Sequence, residues 1–241
     1  GICITEDYGL GTKPTNGAQR SYPSSGGDLK RLPALSVQAS NSDLKVFVAQ
    51  VYDQYPRFKE IYETGLGLTR EEALSFMYGD MSRESATNHP VTGKLSWYIE
   101  LETAITPPDN SAHAWGPFQA AVTNFIGGGY DDQILNKTGL PTPNISDFKD
   151  PAISTFAGMK RLAEGIVAAA DYFGPNKPAS LYLLGTLAHH NTGWVNSAEQ
   201  QVWRDSYGNE VLRMAQAYRV GSNMKNDVIF YTGQKESEIC R

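Results

Sequence analysis

A nearly uninterrupted apolar segment at residues 181–190 constrains the fold of this chain more than any other feature. A helix that is apolar on every side has no face for water, so other elements must enclose it at the centre of a domain. The preceding segment predicts a helix that starts at Asp150-Pro151, because proline suits the first helical turn. One face of that helix would carry Ile153, Phe156, Met159, Leu162 and Ile166.

Further helices are predicted outside this core. From Asp43, apolar residues recur at three- and four-residue steps until Pro56 interrupts the pattern. A last helix is predicted over residues 207–218, and a small hairpin or loop region around residues 95–103. The predicted secondary-structure elements are mainly α-helices, which excludes parallel-sheet folds and the (β/α)₈ barrel.

The domain organisation follows from local composition. Residues 1–42 carry clusters of Gly, Pro, Ser and Asn with little periodicity, which predicts an extended arm packed on the surface. Residues 43–241 are predicted to form the catalytic domain. A chain of 241 residues buries enough surface to be stable without a metal or a partner subunit, so we expect a monomer.

Two features indicate a secreted, extracellular protein. The two cysteines, Cys3 and Cys240, lie near opposite ends of the sequence, and a disulfide between them is the natural inference. In the chain-entropy account such a bond contributes about 5 kcal/mol. Asn136-Lys137-Thr138 and Asn144-Ile145-Ser146 are glycosylation sequons. The alternative is two unrelated free thiols and sequons that occur by chance.

Charge and motif content exclude several functions. The net charge of −5 and the lack of a basic cluster argue against nucleic acid, and no apolar run is long enough for a membrane span. The histidines show no metal-ligand spacing, because neighbouring His189 and His190 would point about 100° apart on a helix. No Gly-x-Ser-x-Gly elbow is present. We therefore expect no metal and no cofactor.

Glu84 is the first candidate for chemistry. Thr69 and Glu72 have the spacing of a capping box, which predicts a helix from there to about Glu84. Glu84 continues the apolar stripe of Met77 and Met81 on that helix. Cleavage of a glycosidic bond needs a carboxylic acid that is still protonated, and apolar surroundings disfavour the charged form. The alternative is a solvated glutamate at a helix end.

Four motifs in order resemble the soluble lytic transglycosylase and goose-type lysozyme families of the lysozyme superfamily. They are Glu84-Ser85, the segment SAHAWGPFQ at residues 111–119, the helical segment at residues 153–162, and LAHHNTG at residues 187–193. The resemblance implies a lysozyme-like α+β domain in which Glu84 is the general acid. The residues that it places along the sugar cleft are Ser85, Ser111, Trp115, Phe118, Gln119, His190 and Asn191.

Two departures from that pattern bear on the site. His190 stands where the family has a tyrosine near the acid, and its charge changes between about pH 5 and 8. The gap before Gln119 is longer, and its insertion carries Trp97, which either stacks on sugar or packs the loop. If a second carboxylate acts as base, Glu102 and Asp109 are the candidates by position.

The resemblance implies a muramidase that cleaves the glycan strand of bacterial peptidoglycan. Three alternatives stay open: a chitosanase or chitinase on the same fold, a lytic transglycosylase, and a non-catalytic glycan-binding protein. The net negative charge of the chain favours cationic chitosan over the anionic cell wall, whereas the four motifs favour peptidoglycan. In each case the expected partner is a polysaccharide.

Overall fold

The computed structural model describes residues 28–36, 39, 41–85, 114–121, 138–148 and 150–218. Helices dominate this part of the chain, which confirms the predicted mainly α class. The α-helices are α1 (Asn41–Gln54), α2 (Pro56–Lys59), α3 (Arg70–Ser85), α4 (Pro151–Phe173), α5 (Ala179–Thr192), α6 (Gln201–Trp203) and α7 (Asn209–Ala217). Short 3₁₀ turns occur at Asp28–Arg31, Ile145–Asp147 and Val195–Glu199, and π-helical turns at Glu60–Gly65 and Arg204–Gly208.

Helix α3 begins as the sequence predicts. The Glu72 N–H donates to Thr69 Oγ1 at 3.1 Å, and the Thr69 N–H donates to Glu72 Oε1 at 3.4 Å. These reciprocal bonds form the capping box and satisfy donors that have no partner within the helix. The helix then continues to Ser85 and buries Met77 and Met81.

Helix α5 is the buried apolar helix that residues 181–190 predicted. Its side chains from Tyr182 to His189 are buried, and Gly193 ends the helix in the left-handed conformation at φ 82°. Helix α4 approaches it closely, because a Cβ at Gly165 would lie 2.9 Å from the Thr186 side chain. This close approach explains why a glycine stands in the middle of a long helix.

A small hairpin surrounds the segment WGPFQ. Strands β1 (Ala114–Trp115) and β2 (Ala120–Ala121) are antiparallel, with Ala114 opposite Ala121. Gly116 and Gln119 in the turn have φ values of 75° and 51°. The sequence predicted a hairpin or loop region around residues 95–103, which lie outside the described residues. The observed element is a turn between strands, because the left-handed residues reverse the chain here.

The chain divides into two compact units. Among the described residues, one unit contains 56–80 and 162–218, and the other contains those between 28 and 55 and between 81 and 161. None of the described helices has the length and apolar content needed to cross a lipid bilayer. The predicted boundary after residue 42 stays a prediction, since most of that arm lies outside the described residues.

Candidate active site

Glu84 lies in the last turn of α3 and is partly exposed, so its carboxylate is within reach of a ligand. The next residue, Ser85, is buried, and its hydroxyl donates a hydrogen bond to the Pro117 carbonyl. This bond ties the end of the helix to the hairpin turn. The position of Glu84 is therefore set by a rigid element rather than by a loop.

A second carboxylate, Asp80, lies one helical turn before Glu84 on the same helix. Its side chain has no exposed surface. The Tyr207 hydroxyl donates to Asp80 Oδ1 at 3.2 Å, and His190 Nε2 lies 3.5 Å from Asp80 Oδ2. A carboxylate without contact to water needs such partners, because burying an uncompensated charge is costly. The last two turns of α3 therefore present one enclosed and one accessible carboxylate.

The partners of Asp80 are linked to each other. Asn191 follows His190 at the end of α5, and its Oδ1 accepts a hydrogen bond from Trp203 Nε1 at 3.1 Å. The Trp203 ring packs against Tyr207 with 5.8 Å between centroids, and Tyr207 returns to Asp80. Asp80, His190, Asn191, Trp203 and Tyr207 thus form a circuit around Asp80. The circuit holds the imidazole of His190 in place, since each member is fixed by another member.

The negative charge of Asp80 also affects the hydroxyl of Tyr62. Burial raises the pKa of the Tyr62 hydroxyl well above its ordinary value, and the neighbouring charge of Asp80 raises it further. Both effects disfavour a second negative charge in this enclosed region. Tyr62 therefore stays protonated beside Asp80 at a higher pH than a tyrosine in water does.

Asp80, Glu84 and His190 also form the set of described side chains that could hold a metal ion. Each offers one atom, and these atoms lie within 4.8 Å of one another. Carboxylate and imidazole are ligands that divalent transition metals accept. The sequence predicted no metal site from histidine spacing, because that reasoning did not consider ligands brought together from two helices.

Three residues predicted to line the sugar cleft take part in packing. Trp115 and Phe118 are 7% and 0% exposed. A Cβ at Gly158 would lie 2.2 Å from Phe118 Cβ, so the Phe118 side chain fills the space above that glycine. Gln119 is partly exposed, and its Nε2 donates to the Gly116 carbonyl at 3.0 Å. This bond supports the left-handed backbone of the turn, and the exposed part of Gln119 is accessible to a ligand.

His190 and Asn191 differ in what they expose. The His190 side chain is only 3% exposed, and its Nε2 faces Asp80 rather than solvent. Asn191 is exposed although its Oδ1 accepts from Trp203, which leaves its amide N–H groups accessible. His189 is fully buried in α5.

A comparison with protein families decides the class of this site. The family model of the Cel124 C-terminal catalytic domain matches residues 46–219, a span that contains every side chain of the circuit around Asp80. This chain belongs to the Cel124 catalytic domain family. It is therefore a glycoside hydrolase, as the sequence analysis predicted. The predicted membership of the lysozyme superfamily stays a prediction.

Solved structures agree with the Cel124 assignment at the level of the fold. A GH124 cellulase from Ruminiclostridium thermocellum, in complex with Mn and fructosylated cellopentaose, has a TM-score of 0.55 at 19% identity. The cellulase CtCel124 from Clostridium thermocellum has a TM-score of 0.51 at 18% identity. Each comparison covers 88% of this chain and 92% of the other. No curated protein sequence gives a significant match.

Several predicted residues of this Cel124-family chain lie outside the described residues. They are Trp97, Glu102, Asp109, Ser111, Cys3 and Cys240. The candidate residue that the sequence analysis missed is Asp80. The signal that could have found it is its spacing, because a residue four before Glu84 shares the same face of the helix.

Proposed function

We propose that this chain is a cellulase, which hydrolyses the β-1,4 bonds of a glucan polymer with Glu84 as general acid. The observation that carries the proposal is the accessible Glu84 carboxylate beside the enclosed Asp80, in a chain that belongs to a glycoside hydrolase family. The solved structures that share its fold are described as cellulases. These descriptions support a glucan substrate.

In this mechanism Glu84 donates its proton to the oxygen of the scissile bond while the bond from that oxygen to the anomeric carbon breaks. A water molecule then attacks the anomeric carbon and gives its proton to a base. Asp80 is not that base, because it has no exposed surface and holds Tyr207 and His190. Glu102 and Asp109 stay the proposed candidates by sequence position.

Asp80 acts on the reaction through its position. A charge one helical turn from Glu84 repels a second negative charge on the same face of α3. His190, when protonated, offsets this field, because it lies 3.5 Å from Asp80. We therefore assign Asp80, His190 and Tyr207 to the support of Glu84 rather than to contact with substrate.

The charge of the chain bears on the choice of polymer. A net charge of −5 repels the anionic bacterial cell wall and is indifferent to neutral cellulose. The order of motifs from Glu84 to Asn191 favours peptidoglycan, which stays the second candidate substrate. A location outside the cell fits either polymer, because neither can enter a cell intact.

Product analysis on parallel substrates tests the proposal. Wild-type and Glu84→Gln proteins would be incubated with cellulose, peptidoglycan and chitosan, and the soluble products read by mass spectrometry. We expect cello-oligosaccharides with reducing ends from the wild type alone. Muropeptides instead would establish the muramidase, and their end groups would separate hydrolysis from transglycosylation. Release from no polymer would favour a non-catalytic binding protein.

A further inference from the structure

Trp194 stands out among the aromatic side chains of the unit that contains Asp80. Its side chain is 70% exposed, whereas the other described tryptophans, Trp115 and Trp203, are 7% and 8% exposed. A large flat apolar ring in water is a cost that packing normally removes. Its ring is more exposed than that of Tyr172, which is 51% exposed in the same unit, and it is open to contact with a ligand.

The backbone of Trp194 is held firmly although its ring is free. The Trp194 N–H donates to Thr192 Oγ1 at 3.1 Å, and its carbonyl accepts from the Ser197 N–H at 3.2 Å. The Thr192 and Ser197 hydroxyls also contact each other at 2.9 Å. Gly193, in the left-handed conformation, turns the chain out of α5 just before Trp194. The ring is thus presented on a fixed support, which lowers the entropy lost when a ligand binds.

Trp194 lies close to the circuit around Asp80 along the chain. It follows His190 by four residues, and four residues of fully extended chain span about 14 Å. Trp194 therefore stands near His190 along the chain, and both belong to the same unit as Asp80.

We propose that Trp194 is a stacking platform for one sugar ring of the substrate, in a subsite away from the bond that is cut. The apolar C–H face of a pyranose ring packs on an exposed indole, while its hydroxyl groups remain in water. Such a contact is made equally by the ground state and the transition state, so it contributes to substrate binding rather than to turnover. This inference rests on the proposed function, because it takes a glucan chain as the ligand.

Titration with soluble cello-oligosaccharides of increasing length tests the platform. The measurements use Glu84→Gln protein so that the ligand is not cut, with and without Trp194→Ala, Trp194→Phe or Val202→Ala. We expect Trp194→Ala to weaken the binding of longer oligosaccharides about 3- to 10-fold, and Trp194→Phe to keep most of the affinity. Val202 is the matched control, because it is 82% exposed in the same unit but carries no ring.

Tryptophan fluorescence provides a second readout. Trp115 and Trp203 are already buried, so in a Trp97→Phe background a shift of emission to shorter wavelength on adding a long oligosaccharide would report on Trp194, and Trp194→Ala would abolish it. Equal affinity in Trp194→Ala, or equal losses in Trp194→Ala and Val202→Ala, would overturn the platform. Full turnover of cellulose by Glu84→Gln would instead overturn the acid assignment, so the two proposals fail separately.

Discussion

The two ends of helix α3 are held in different ways. At its start, Thr69 and Glu72 exchange hydrogen bonds across three residues. At its end, Asp80 is bound by Tyr207, which lies 127 residues away in the sequence. The start is thus a local structure, whereas the end is assembled from distant segments and carries Glu84, the proposed acid. The difference teaches that the turn proposed to carry the chemistry is fixed by tertiary contacts.

The largest expected effect separates two glutamates at opposite ends of α3. Glu84→Gln removes the proton donor, and we expect turnover of cellulose to fall by about 10²- to 10⁴-fold while the thermal midpoint is kept. Glu71→Gln is the matched control, because Glu71 is exposed in the first turn of the same helix. Initial rates and thermal melts of both variants measure this contrast. Equal losses of turnover would remove the distinction between the two ends.

The next largest effect is on stability, and it tests the contacts of Asp80 with Tyr207 and His190. Asp80→Ala leaves the polar atoms of Tyr207 and His190 in a buried site, so we expect the free energy of unfolding to drop by about 3–5 kcal/mol. Tyr207→Phe deletes one hydrogen bond and should cost about 1 kcal/mol. Urea denaturation measures both losses. Asp147→Ala, at an exposed position, should stay within about 0.5 kcal/mol of wild type; a similar loss there would contradict the role of Asp80.

The capping box at the other end provides a smaller effect. Thr69→Ala removes the side-chain bond to the Glu72 N–H, and we expect a loss of about 1 kcal/mol in stability with turnover unchanged. Thr69→Ser keeps the hydroxyl and serves as the control. Denaturant midpoints and initial rates on cellulose together check the prediction. A drop in turnover for folded Thr69→Ala would show that the start of α3 is coupled to the acid.

The smallest expected effect is a loss of stability at high pH that is caused by Tyr62, a buried neighbour of Asp80. Burial, and secondarily the charge of Asp80, raises the pKa of Tyr62 above its ordinary value of 10.0. The unfolded chain therefore loses this proton first, and stability falls as pH rises above about 10. Thermal midpoints between about pH 9 and 11 should fall less steeply for Tyr62→Phe than for wild type. Parallel slopes would show that Tyr62 does not titrate differently in the folded state.

The fold was predictable from the sequence wherever local rules dominate. The apolar run at residues 181–190 predicted the buried helix α5, and the spacing of Thr69 and Glu72 predicted the start of α3. The hairpin turn at residues 116–119 was not predicted, because a left-handed conformation at a non-glycine residue such as Gln119 is uncommon and no sequence pattern indicated it. The glycoside hydrolase class was also predicted, but the motifs pointed to lysozymes and the family comparison points to Cel124.

The candidate site was predictable only in part. Glu84 was proposed because it continues an apolar stripe and begins a recognisable motif. Asp80 was missed because an aspartate within a helix is ordinarily solvated, and its spacing from Glu84 does not reveal the burial and the partners that the structure shows. Trp115 and Phe118 show the reverse case, since the sequence indicates aromatic rings in a motif but does not show that they pack inside their unit.

The sequence by itself determined where α3 and α4 begin and which helix is enclosed. These features depend on hydrophobic periodicity and on hydrogen bonds between residues close in sequence, and both can be recognised from the order of residues alone. Only the tertiary structure decided that Asp80 is enclosed by Tyr207 and His190 and that Trp194 stays exposed. Burial is a property of what surrounds a side chain, and here the surroundings come from segments far apart in the sequence.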